Sequence, residues 1–303
     1  MVLESLVSPQ EVEKHPLDML ILGFVVATTG LWLAYYIFPQ GASAWFLFFT
    51  AMALVPMIYR VFYIEEGKEC EKIQHESLWK RHNEVIMVYL FMFFGMLIAF
   101  SFWFTILPSD IIHVMFKDQI GEVMRIQNLR TVLVGSLIGV EGAGLTGYLI
   151  NKATSMAVSK VKLLELILAN NLRLLFLFVA FSFVFGAGAL LLLTWNAAVV
   201  GVAIGNLIRT TVATGASVAS KTGTYFTAFP ISFLSFFVHG IFEIVGYFLG
   251  AIAGGIFSVA IVRKHYNRPE FKRIAVDVGI FMLAAILLMI IGGSIEVYIT
   301  PLL

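Results

Sequence analysis

Charge is scarce in this chain of 303 residues: only 13% are Asp, Glu, Lys or Arg, about half the share of a soluble domain. Cysteine is scarcer still, and the single Cys70 excludes an internal disulfide, a CxxC pair and a thiolate metal site. With 20 basic against 19 acidic residues the net charge is +1, too small for a global field that would draw in nucleic acid. No GxxxxGK[ST] precedes Lys221-Thr222, no GxSxG occurs, and Trp79 stands where His75-Glu76 would need the second histidine of HExxH. These absences leave no catalytic residue, metal ligand set or cofactor site to name.

What is abundant is apolar surface. Hydrophobic residues make up 60% of the chain and the mean hydropathy is +0.92, which excludes a soluble enzyme and a disordered protein together. Runs near 20 residues are long enough to cross a hydrocarbon core about 30 Å thick, and in lipid they must be helical because the backbone finds no water to bond. Six such runs stand out: Met19 to Phe38, Ala42 to Ile64, Val85 to Leu107, Leu172 to Thr194, Phe236 to Val262 and Val276 to Tyr298. Thr131 to Ile150 is a weaker seventh, holding Glu141 among its glycines. Trp195 to Ser235 is apolar but punctuated by Gly201, Gly205, Gly215, Gly223, Pro230, Asn206, Arg209 and Lys221, which reads as a re-entrant or interfacial segment. The expected fold is therefore an all-α polytopic membrane protein with about seven transmembrane helices and one such segment. Its single membrane domain divides into an N-terminal three-helix part (1–107, with loop 65–84), an insertion (108–160), a core (161–262) and a basic loop with the last helix (263–303).

Basic residues resist translocation, so they orient the chain. Arg60, Lys68, Lys72, Lys80 and Arg81 in one loop, and Arg263, Lys264, Arg268, Lys272 and Arg273 in another, are expected in the cytoplasm, with Lys152, Lys160 and Lys162 beside them. The N-terminus is then cytoplasmic and the C-terminus outside the plasma membrane. The first run follows an acidic tail and lacks a basic n-region, so it reads as a retained anchor.

Ionisable groups inside a span are expensive and mark sites by default. At about 100° per residue, His239, Glu243, Gly246, Gly250 and Gly254 share one stripe of the run Phe236 to Val262. The glycines form a small-xxx-small series that admits a neighbouring backbone, and the imidazole and carboxyl enter the same contact. Such a pair can share a proton, hold a cation, or fix the register of two helices by hydrogen bonding. Asn170, Asn171 and Arg173 open the run at Leu172, with Asn196 just past its end; they read as headgroup snorkelling, as caps of a broken helix, or as ligands of an anionic group. Gly186 suggests close packing within that run, and Gly201 and Gly205 offer a further small-residue face that favours a homodimer.

These residues carry a resemblance. Asn170-Asn171-Leu172-Arg173, then FGAGALLLLTWNAAVVGVAIGN, then Val238-His239-Gly240-Ile241-Phe242-Glu243 and AIAGG resemble the stage II sporulation protein M family over about a third of the chain. The N-terminal SPQEVEKHP looks like its archaeal branch. The resemblance implies an integral membrane protein; sporulation members act as scaffolds for peptidoglycan-remodelling enzymes. Other membrane or wall-associated proteins are thus expected partners beside the lipid bilayer, while an archaeal-type relative has no peptidoglycan to act on.

Two non-enzymatic readings follow. A small-solute conduit predicts a continuous wet path lined by Asn170, Asn196, His239 and Glu243; an assembly scaffold predicts that they are hydrogen-bonded and dry. The competing class is an intramembrane metal-dependent hydrolase using His239 and Glu243, which needs a further ligand within reach of that pair.

Overall fold

A computed structural model describes residues 15, 17–71, 78–135, 145–185, 187–213, 218–267 and 270–299, with side chains for 15, 17–65, 82–126, 160–185, 187–213, 240–266 and 271–299. Among these residues the chain is all helix: α1 (Leu17–Ile37), α2 (Ala42–Glu71), α3 (Leu78–Ile106), α4 (Ser109–Met115), α5 (Lys117–Gly135), α6 (Leu145–Phe185), α7 (Ala189–Ala213), α8 (Val218–Val262) and α9 (Glu270–Tyr298). Seven stretches are long and apolar enough to cross a membrane: Leu17–Ile37, Pro39–Glu65, His82–Ile106, Lys160–Phe185, Ala189–Ala213, Gly240–Val262 and Phe271–Tyr298.

The total of seven matches expectation, but two of the crossings are different segments. The apolar run Leu172 to Thr194 is not one span. FGAG at 185–188 interrupts it, so α6 ends at Phe185 and α7 starts at Ala189. The stretch after Trp195 is not re-entrant either: α7 continues as regular helix to Ala213, and the rest up to Ser235 belongs mostly to α8. Gly201 and Gly205, which read as helix breakers, are contact points instead. A Cβ at Gly201 would lie 3.0 Å from Phe100 Cβ, and one at Gly205 3.2 Å from Ser101 O, both on α3. Of the weak candidate Thr131 to Ile150, residues 136–144 lie outside the described residues, and the helix α6 begins at Leu145.

Proline sets several boundaries. Phe38, extended at φ −131° ahead of Pro39, ends α1, and Pro108 separates α3 from α4. Pro56 lies inside α2, where spanning helices tolerate it. Helix α8 ends through Lys264, which takes the left-handed conformation at φ 59°.

Because the crossings alternate, the loops after α2 and α8 fall at one end of the bundle. The contacts agree: Gly255 of α8 packs on Phe62 of α2, and the Arg263 guanidinium lies 4.1 Å from the centre of the Tyr63 ring. At the other end Ser43 donates to Asp118 (2.6 Å), Gln119 donates to Ser43 O (3.0 Å), and Lys160 sits 5.6 Å over the Tyr298 ring. Lys160 and Lys162 therefore lie opposite the two basic loops, not beside them.

Arg209 of α7 closes the far end of α3, donating to the carbonyls of Phe104 (3.2 Å) and Leu107 (2.7 Å) and to Ser109 Oγ (3.1 Å). Those are carbonyls a helix end leaves without partners, and a cation complements the dipole there. Replacing Arg209 with alanine is expected to cost about 1–2 kcal/mol in detergent unfolding.

Candidate functional site

The buried polar site is built from α6 and α8. Helix α6 runs unbroken through Asn170, Asn171 and Arg173, so these residues sit in mid-helix and cap nothing. Helical geometry separates them. Asn171 turns inward and is 4% exposed, whereas Asn170 and Arg173 are exposed on the outer surface. From α8, one turn apart, come Glu243 and Tyr247.

Asn171 joins the two helices. Its Nδ2 donates to Glu243 Oε1 at 2.6 Å, and its Oδ1 accepts from the Tyr247 hydroxyl at 3.1 Å. The Tyr247 ring stacks on Phe178 of α6 with centroids 4.8 Å apart. An amide that both donates to a carboxyl and accepts from a phenol uses both ends of its dipole, which fixes its orientation. The arrangement is a crosspiece between the two helices, with Asn171 and Tyr247 buried and Glu243 half-buried.

The glycine stripe seats α8 between its neighbours. A Cβ at Gly254 would fall 2.7 Å from Val179 O and 2.8 Å from Ser182 Cβ, and one at Gly250 would fall 2.5 Å from Leu175 Cδ1, all on α6. At Gly246 it would meet α9, 2.6 Å from Met289 Cε and 3.2 Å from Ala285 O. The stripe thus faces two helices of the same chain.

His239 is part of α8, but its side chain lies outside the described residues, as does Gly186. Asn196 stands apart from Glu243: its Nδ2 donates to Leu192 O, one turn back on α7, at 2.9 Å. Gly201 and Gly205, expected to face a second copy, are filled by α3. Tyr247 is a residue that sequence reasoning missed, although its i, i+4 relation to Glu243 was there to be read.

Also missed is a second buried polar group, at the end of the bundle that carries the basic loops. His82 Nδ1 lies 2.7 Å from Glu65 Oε1, and both side chains are 1% exposed. A crevice lined by His82, Ile256, Ile274, Asp277, Val278 and Phe281 adjoins them, without room for a water molecule. Glu65 and His82 fall in the loop 65–84, which the sequence places in the cytoplasm by its basic residues. Their pairing across two helix ends leaves no trace in local spacing. Among the described residues, no three His, Cys, Asp or Glu side chains are grouped to hold a metal ion.

Seven apolar crossings, tied together by buried polar contacts and glycine seats, define a polytopic helical membrane protein. The chain belongs to the stage II sporulation protein M family, whose model matches residues 46–301. It is also 32% identical over 138 residues to an uncharacterized protein of Methanocaldococcus jannaschii, a match covering 45% of this chain and 69% of that relative. No solved structure matches it.

Proposed function

We propose that this protein is a non-enzymatic assembly scaffold of the plasma membrane, with its N-terminus and both basic loops in the cytoplasm. The observation that carries the reading is the Asn171 crosspiece. A conduit would need Glu243 and the asparagines along one wet path. Instead, Asn171 and Tyr247 form a bonded chain with Glu243, Asn196 is bound to its own helix, and Asn170 is on the outer surface. The orientation rests on the two basic loops sharing one end of the bundle, since positive charge accumulates on the cytoplasmic side.

A scaffold makes a clear prediction in reconstituted vesicles. Potassium efflux and glycerol-driven swelling are expected to equal those of protein-free vesicles, both for the native chain and for Glu243→Gln. Protein-dependent flux that changes with Glu243→Gln would overturn the scaffold in favour of a conduit.

A further inference from the structure

Arg173 has an unusual position for a charge in a membrane protein. Helix α6 is the least buried of the seven crossings. Its outward arc, about 80° wide, holds Lys162, Leu166, Ala169, Arg173, Phe176 and Val184, all exposed, with Asn170 at its edge. Phe176 is 70% exposed and Leu166 54%, as suits lipid. Arg173 stands in the middle of that arc, and among the described residues it makes no hydrogen bond or ion pair.

Its depth follows from helix rise. Arg173 precedes the end of α6 at Phe185 by twelve residues, about 18 Å, whereas Arg209, at the far end of the bundle, follows the start of α7 by twenty, about 30 Å. Phe185 ends α6 and Ala189 starts α7 four positions on, so Arg173 lies about 12 Å inside the level of Arg209. Side chains on a helix lean toward its N-terminus, which here is the nearer surface, but the stem of an arginine covers only about half that distance. A cation at such depth is strongly disfavoured unless something pairs with it.

We infer that the outer face of α6 around Arg173 and Asn170 docks a membrane helix of another protein that brings a carboxylate to this depth. The guanidinium supplies paired donors matched to a carboxylate, and the Asn170 amide supplies a further donor one turn away. A second copy of this chain fits poorly. A symmetric α6 pair would set Arg173 level with its own image, and the outward faces of α1, α2 and α9 carry no carboxylate at that depth. Within α6, Glu165 is two turns distant. The inference extends the scaffold reading by naming the chemistry of what is held. Its test reads helix binding and not flux, so each can fail without the other.

The probe is a poly-leucine transmembrane peptide with one glutamate placed at the depth of Arg173, labelled for energy transfer to the labelled protein in phosphatidylcholine vesicles. It is expected to bind roughly tenfold tighter than the same peptide with leucine or glutamine there. Arg173→Leu should remove the difference, and Arg173→Glu should transfer the preference to a lysine peptide. Arg173 is exposed, so both variants should unfold like the native protein. Should either fail to fold, the native protein's choice between the glutamate and leucine peptides still decides. Equal binding of those two peptides overturns the inference. So does retention of phosphatidylglycerol by the native protein but not by Arg173→Leu, with no preference for the glutamate peptide, because a lipid would then own the site.

Discussion

Gly254→Leu is expected to abolish folding of the helix bundle, read as loss of a monodisperse species in detergent and of a cooperative unfolding transition. The first atom of any side chain at this position meets the Val179 carbonyl oxygen at 2.7 Å and the Ser182 Cβ at 2.8 Å. A backbone carbonyl inside a helix cannot turn aside, so α8 would have to leave α6 and break the Asn171 contacts one end at a time. Overpacking a tight core costs about 1–3 kcal/mol even for small additions, and leucine adds three further carbons. The same arithmetic grades the other glycines. Gly250→Ala overlaps only the Leu175 Cδ1 tip, 2.5 Å away, which can change rotamer, while Val179 Cγ2 lies at ordinary contact distance, so a cost near the lower end of that range is expected. Gly279→Ala meets nothing within 4 Å and should be neutral or slightly stabilising through helix propensity. A flat response across the three would remove the glycine seat from the account.

The second large effect is expected at Asn171. Asn171→Leu removes the donor to Glu243 and the acceptor for Tyr247 together, leaving two polar groups without the partner that held them. Interhelical hydrogen bonds in membranes average about 0.6 kcal/mol and reach about 1.7, so losing two, with the Tyr247 hydroxyl left buried, should cost roughly 2–3 kcal/mol. Glu243→Gln, by contrast, keeps an oxygen acceptor of the same size and should cost under about 1 kcal/mol. The ordering matters more than either value: an asparagine that merely filled space would tolerate leucine well.

Much of the fold was legible because hydropathy works well on membrane spans. The runs from Met19, Ala42, Val85, Phe236 and Val276 each fall on a helix, since lipid leaves an uninterrupted apolar run no other structure. It misled where polarity and helix boundaries part company. Asn170, Asn171 and Arg173 were read as the start of a span because they are polar, yet α6 continues through them, one facing in and two facing out. Gly201 and Gly205 were read both as breaks and as a close-contact face; four residues apart on a spanning helix they are a contact face, met by α3 of the same chain. FGAG, by contrast, sits inside a run apolar enough to hide a chain reversal.

The site was legible in part. The face holding Glu243 and the glycines follows from helical period alone, and Asn171 stood out as one of the polar residues opening an apolar run. What local pattern cannot supply is which distant residue completes a contact. Asn171 meets Glu243 from 72 positions away, and Glu65 meets His82 across the connection between α2 and α3. Gly95 of α3, whose position a side chain would share with the Leu20 backbone of α1, carried no sequence sign beyond being glycine.

The account turns on Asn171 and Glu243 being bonded to each other across the contact between α6 and α8. A double-mutant cycle measures this directly: detergent unfolding of the native protein, Asn171→Leu, Glu243→Leu and the double variant. A coupling of about 1–2 kcal/mol is predicted, the double variant being less damaged than the two single losses added. Strict additivity would show that the two residues do not depend on one another, and the closed crosspiece would be contradicted.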